Sequence, residues 1–166
     1  MGWDSYRWMS FESWYVGYRP QLIGALIVVS GDADAAVDAA DEAMVRALAR
    51  WDRISAAGSP EAWTYTVGVN VLRRRSRRLS IERKILRRPE PQPPAQLQTE
   101  VWQAVKALPR RQREAIALRY LLDLSEAGVA EAMGVAIGTA SATLASARAR
   151  LAELLETDVM IEVDQP

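Results

Sequence analysis

Five arginines stand within six residues at Arg73–Arg78, in the run RRRSRR. Such a block is too charged to bury. It is either a solvated helix end or a phosphate-contacting surface, and five guanidiniums in under two helical turns favour phosphate. Trp63 and Asn70, seven residues apart, share a helix face that leads into the block. An aromatic ring and an amide beside arginine suit stacking on exposed bases and hydrogen bonding to them. Taken alone, Trp63 fits a hydrophobic core about as well. The candidate base and phosphate contacts are therefore Trp63, Asn70, Arg73, Arg74, Arg77 and Arg78. A second candidate lies within Leu108–Leu155. Its centre, LSEAGVAEAMGVAIGTASATL, is punctuated like a helix-turn-helix. Ser125 can cap a first helix, Gly134 breaks it, and a second helix restarts after Ala136. Two short helices at this spacing usually read DNA. Yet no Lys or Arg occurs from Ile137 to Ala147.

The totals restrict what else these residues can do. The formal net charge is zero, against a uniformly basic nucleic-acid coat, but the charge is unevenly spread. Residues 1–70 hold 5 Lys/Arg against 9 Asp/Glu, residues 71–98 hold 9 against 2, and residues 99–166 hold 7 against 10. One basic block sits between two acidic parts. The absence of Cys and His excludes disulfides, thiolate or imidazole metal sites, and Cys/His or Ser/His/Asp catalysis. There is no Gly-rich phosphate loop. Carboxylates cluster at ligand spacing only in the second helix, where docking or solvent explains them. No enzyme, cofactor or metal is expected. The longest apolar run, LIGALIVV, has 8 residues, far below the roughly 20 of a membrane span, and lacks the flanks of a signal peptide. A soluble cytoplasmic protein is the expectation.

The elements that must position these groups are all helical by pattern. Met1–Ser10 reads as an extension. Phe11, Trp14, Tyr15, Tyr18, Leu22 and Leu26 fall at steps of three and four, and Pro20 is expected to interrupt this first helix or restart it. Asp32 is a plausible N-cap. Asp34–Ile54 reads as one helix, with Ala36, Val37, Ala40, Met44, Val45, Leu48 and Trp51 inward. Ser59-Pro60-Glu61 is a good start for the third helix, which carries Trp63 and ends in the arginine block. PEPQPP cannot continue a helix, and IERKILRR before it is a possible helical extension. Thr99–Leu108 is a fourth helix, with Val101, Trp102, Val105 and Leu108 inward. Pro109 opens the next, with Ile116, Ala117, Tyr120 and Leu121 as its apolar face. Ile137–Leu155 is the last, with Ile137, Ala140, Leu144, Ala147, Leu151 and Leu155 inward, followed by a frayed acidic tail. The expected organisation is all-α: two small helical domains, 11–79 and 99–156, joined by a basic, Pro-rich linker over 80–98, with an extension at 1–10 and a tail at 157–166.

In this order the features resemble bacterial RNA polymerase sigma factors of the extracytoplasmic-function group. The first half matches at Gly31-Asp32, Asp38 and Asp41-Glu42, then at Pro60, Trp63, Asn70, Arg73, Arg77 and Arg78. The second half matches at Leu108-Pro109-Arg110-Arg111-Gln112-Arg113, Leu118-Arg119-Tyr120, Asp123-Leu124-Ser125, Gly134, Gly138-Thr139 and Ala147-Arg148-Ala149-Arg150-Leu151. The resemblance implies a non-enzymatic subunit of two parts, corresponding to sigma regions 2 and 4. The second helix, around Asp38, Asp41, Glu42 and Arg46, would dock on the β′ clamp helices of core polymerase. The Trp63–Arg78 segment would recognise the −10 promoter element as separated strand. The Ile137 helix would enter the major groove at −35 through Thr139, Ser141, Thr143, Ser146 and Arg148, and its domain would bind the β flap. An anti-sigma factor or another protein regulator is the implied partner, and no membrane is.

The departures fall in the last helix. Ala136 stands where the family has a capping Ser. Gly138-Thr139-Ala140-Ser141-Ala142-Thr143-Leu144-Ala145-Ser146-Ala147-Arg148 stands where the family has a Lys and two early Arg, which are replaced by small neutral residues at Ser141, Thr143 and Ser146 or their neighbours. Gly128 takes the place of the capping-box acid three residues after Ser125, and Asp41 stands where Gln is typical. A good bidentate base contact contributes roughly 1–3 kcal/mol of discrimination, so the loss of two or three cationic groups predicts weak −35 binding. Two readings follow. One is a promoter-specificity factor that relies on its first domain for DNA. The other is a sigma-like regulator whose second domain binds an activator or anti-sigma factor instead. A generic helix-turn-helix repressor would have no need of the Trp63–Arg78 segment.

Overall fold

A computed structural model describes the backbone of residues 10–86 and 99–163 and the side chains of residues 10–77 and 99–156. The expected extension at 1–9, the proline-rich part of the linker at 87–98, and the tail's last three residues and its side chains lie outside the described residues. Among the described residues there is no β-strand, and no single helix is long and apolar enough to cross a membrane.

Four helices form the first half: α1 (Phe11–Ser30), α2 (Ala33–Leu48), α3 (Trp51–Ala56) and α4 (Pro60–Leu86). Local chemistry explains their ends. Ser10 caps α1, and Gly31 closes it in a left-handed conformation, its N–H donating to the Ile27 carbonyl at 2.7 Å. The Asp32 carboxylate caps α2 by accepting from the Ala35 N–H at 2.9 Å. Pro20 does not interrupt α1 as expected. The helix runs through it because Pro20 lies on the solvent side, one turn from the exposed Val16, where water can take the carbonyl that proline leaves unpaired.

The single helix expected over Asp34–Ile54 is two. The chain turns at Ala49-Arg50, with no Gly or Pro to signal it, and Trp51 swings into an aromatic cluster. Its ring lies 4.9 Å from Trp14 and 5.5 Å from Phe11. The buried face of α2 also differs from the expected one. Ala35, Ala36, Ala39, Ala40, Ala43, Met44 and Ala47 face α1 and α4, while Val45 and Leu48 are 67% and 54% exposed. Alanine lets the backbones approach closely, and the same closeness recurs at Gly68 of α4. A Cβ there would stand 3.0 Å from Leu26 Cδ1.

The second half is α5 (Glu100–Ala107), α6 (Arg110–Ile116), a π-helical turn (Ala117–Leu121), α7 (Glu126–Met133) and α8 (Ile137–Val163). Thr99 caps α5, Ser125 caps α7, and Gly134 ends α7 with φ +65°. The π turn was not foreseen. Its wider loop, closed by Leu122 N–H to the Ala117 carbonyl at 3.3 Å, rotates the following residues. Leu118 and Leu122 are buried in place of Tyr120 and Leu121. Asp123 then takes φ +48°, a conformation Asp tolerates better than most residues. The Arg119 guanidinium braces it by donating to the Asp123 carboxylate and the Leu124 carbonyl, each at 3.2 Å. Val101 and Ile137, both expected inward, are exposed at the first turns of α5 and α8. The helix expected to end at Leu155 carries on to Val163.

The two halves share a core. α1 packs on α6 and the π turn, and α4 packs on α7. One buried cluster runs from Trp14, Leu22 and Leu26 through Tyr65 and Val69 to Trp102, Leu118 and Leu144. At the junction, the fully buried Tyr65 donates its hydroxyl to Glu114 at 3.4 Å, and Glu114 is only 3% exposed. Burial first, and the Glu114 charge second, raise the Tyr65 pKa above the ordinary phenol value. In the unfolded chain Tyr65 would lose its proton near pH ~10, whereas the native state keeps it. Above that pH the unfolded state binds fewer protons, so this contribution to stability falls as pH rises. The slope approaches about 1.4 kcal/mol per pH unit. Denaturant midpoints measured from pH 9 to pH 11 should fall more steeply for the wild type than for Tyr65→Phe. Equal slopes would mean that the hydroxyl is not held neutral at the junction.

Candidate nucleic-acid interface

The arginine block lies on α4, past the end of its buried face. Ala62, Tyr65, Val69 and Leu72 point into the core. Asn70, Arg73, Arg74 and Arg77 are exposed, and the Arg78 side chain is outside the described residues. Helical periodicity makes Trp63, Asn70 and Arg74 neighbours along one face. Trp63 is half-buried. It lines a cleft of about 230 Å³ with Arg50, Arg53, Ile54, Ala57 and Ser59, which Glu131 of α7 flanks from the other half. Its ring therefore serves the core on one side and is open on the other, so neither sequence reading of Trp63 is displaced. Arg75, one of the five, is engaged elsewhere. It is ion-paired with Asp38 of α2, whose hydrogen bond holds its pKa above the ordinary guanidinium value.

That pairing ties the arginine block to the candidate docking face. All three carboxylates there are exposed and matched: Asp38 with Arg75, Asp41 with Arg19 at 2.7 Å, and Glu42 with Arg46. Exposed pairs of this kind add little stability, so they are exchangeable with a partner's charges. Beside them stand Val45 and Leu48, which sequence periodicity placed in the core. The signal for the true face was the alanine spacing at 36, 39, 40, 43 and 47. An exposed apolar pair ringed by charges is a better docking surface than the charges alone.

The α8 candidates are largely spent on the chain itself. Ser141 donates to Glu126 at the start of α7, and Thr143 donates to the Thr139 carbonyl at 2.7 Å. Arg148 donates from Nε to the Tyr120 hydroxyl at 2.9 Å. Thr139 and Ser146 are exposed. The helix-turn-helix geometry is present, with Ala140, Leu144 and Ala147 seating α8 on the rest of its half. Its outward surface is neutral up to Arg148.

A two-part helical chain with a basic helix in one part and a helix-turn-helix in the other has the layout of a promoter-specificity subunit. The comparisons agree. Residues 10–81 match the model of Sigma-70 region 2, and residues 98–151 match that of Sigma-70, region 4. The ECF RNA polymerase sigma factor EcfG of Rhodopseudomonas palustris (strain TIE-1) is 34% identical over 148 residues, covering 84% of this chain and 81% of that protein. The sigma factor RpoE of Bartonella quintana, solved in complex with the anti-sigma factor NepR, superposes with a TM-score of 0.74 at 28% identity, covering 89% of this chain and 98% of that one. CnrH, solved with the cytosolic domain of CnrY, shares the fold at a TM-score of 0.64 and 21% identity, over 89% of this chain and 88% of that one. This chain belongs to the extracytoplasmic-function family of RNA polymerase sigma factors and works in transcription initiation with core polymerase and promoter DNA.

Proposed function

We propose that this sigma factor takes most of its promoter-binding energy from α4 and little from α8. The observation that carries this is the contrast between the two helices. α4 presents Asn70, Arg73, Arg74 and Arg77 to solvent beside the half-open Trp63. α8 presents a neutral surface whose polar groups are largely paired internally. In this reading α4, with Arg78 continuing the block, binds the separated −10 strand by stacking and phosphate contact. The outer face of α2 (Asp38, Asp41, Glu42, Arg46, with Val45 and Leu48) docks on the β′ clamp helices. The second half sits at the β flap and the −35 element, and acts by position. The protein works in the bacterial cytoplasm without catalysing a reaction, and an anti-sigma factor is its regulator, as NepR is bound to the related RpoE. Run-off transcription with purified core polymerase tests the proposal. Activity should survive mutation of −35 better than mutation of −10, and equal sensitivity to both would refute it.

The paired polar groups on α8 also favour a second reading, in which that surface docks a protein. Ser141→Lys with Thr143→Arg distinguishes the two. If α8 approaches the major groove, restoring two cations should tighten −35 duplex binding about tenfold or more and steepen its salt slope by about 1.8. Anisotropy titrations over a range of salt measure both. No gain would show that α8 does not approach DNA.

A further inference from the structure

We propose that the cleft between α4 and the α5–α6 pair binds a nucleoside polyphosphate. The cleft encloses about 860 Å³, within the range of small-ligand sites. Seven cationic side chains from both halves line it against two carboxylates, Asp32 and Glu114. Both carboxylates are engaged, Asp32 as the cap of α2 and Glu114 with the Tyr65 hydroxyl. Several of the cations are engaged as well. Arg75 is held by Asp38, Arg111 lies 3.9 Å from Glu114, and Arg113 donates to the Lys106 carbonyl at 3.0 Å.

Arg77 is engaged too, and three cations remain. Arg73 of α4, Lys106 of α5 and Arg110 of α6 have no hydrogen-bond or ion-pair partner among the described residues. Arg73 and Arg110 come from different halves, yet both line this one cleft. Unpaired cations gathered around a partly enclosed cleft call for a ligand with adjacent negative charges, and guanidinium and ammonium groups are the usual holders of phosphate. Val28, Val69, Leu72 and Trp102 give the lining an apolar strip, beside Ser30 and Ser76. The buried Trp102 indole N–H also lacks an acceptor among the described residues. A bare polyphosphate has no use for the apolar strip, whereas a base joined to phosphates uses both surfaces. A nucleic-acid strand would need repeated stacking platforms, and the cleft has one aromatic, itself buried. The site shares Arg73 with the −10 reading but does not rest on it, since it requires neither DNA nor polymerase.

Calorimetric titration of the full chain with each of the four ribonucleoside triphosphates and with inorganic tripolyphosphate tests the assignment. The comparison variant is Lys106→Ala with Arg110→Ala, both exposed positions, with its folding checked by circular dichroism. At least one nucleotide should bind once per chain, and the double variant should weaken it by about tenfold or more. Tripolyphosphate should bind about tenfold more weakly than the nucleotide, having no base to bury. The proposal is overturned if no nucleotide binds below ~1 mM, if the double variant binds equally well, or if tripolyphosphate matches the nucleotide. Because the titration contains neither promoter nor polymerase, its failure leaves the promoter reading standing, and the reverse is also true.

Discussion

Replacing Trp14 by alanine is expected to destabilise the chain by about 3–5 kcal/mol and to remove promoter binding, although Trp14 touches no DNA in the proposed mode. Trp14 is 4% exposed and stacks on Tyr18 at 4.7 Å. Its indole N–H donates to Glu61 at 2.7 Å, and the Tyr18 hydroxyl donates to the Glu61 carbonyl at 2.7 Å. Glu61 is in the first turn of α4, two residues before Trp63. The aromatic cluster therefore sets where α4 begins and how its reading face is turned. Trp14→Phe keeps most of the ring packing but loses the hydrogen bond to a charged carboxylate, at a cost of roughly 1.5–3 kcal/mol. Urea unfolding and anisotropy on a −10 strand should rank wild type, Trp14→Phe and Trp14→Ala in that order for both stability and affinity. Trp14→Ala within about 1 kcal/mol of wild type would show that the cluster does not hold α4.

The second large effect is electrostatic. Arg73→Ala with Arg77→Ala should lower affinity for the −10 strand by about a hundredfold at low salt, from two charge-assisted contacts of roughly 1.5 kcal/mol or more each. The double variant should also flatten the salt dependence by about 1.4 units of log–log slope, at about 0.7 per single-strand phosphate. Arg75→Ala is the internal control. Arg75 is bound to Asp38, so its loss should move the slope less than the loss of Arg73, which has no partner among the described residues. Anisotropy titrations across a salt series measure all three, and an unchanged slope in the double variant would remove the phosphate role from α4.

What could be read from the residues alone was mostly local chemistry. Asp32 and Ser125 cap helices because a short oxygen-bearing side chain needs only the next turn to find its N–H. Gly31 and Gly134 end helices because the left-handed conformation suits them. The arginine block and the helix-turn-helix were legible for the same reason, and together with their order they were enough for the family. What stayed hidden depends on the distant chain. The break at Ala49-Arg50 exists because Trp51 gains an aromatic cluster built on α1. Val45 and Leu48 are more apolar than the alanines beside them, yet the alanines are buried because two neighbouring helices need to come close. The π turn has no residue signature and appears only where Leu118 and Leu122 both reach the core. The Tyr65–Glu114 contact joins residues 49 apart, and no spacing rule links them.

The alanine face of α2 has a mechanical consequence. An alanine has no χ angle to turn, so a seam of Ala35, Ala36, Ala39, Ala40, Ala43 and Ala47, with Met44 as its one long side chain, absorbs less displacement by exchanging rotamers than a seam of leucines does. A push on α2 passes with little damping into the two helices clamped around it. Whatever grips Val45 and Leu48 from outside therefore also holds, through a stiff coupling, the helix that carries Trp63 and the arginines.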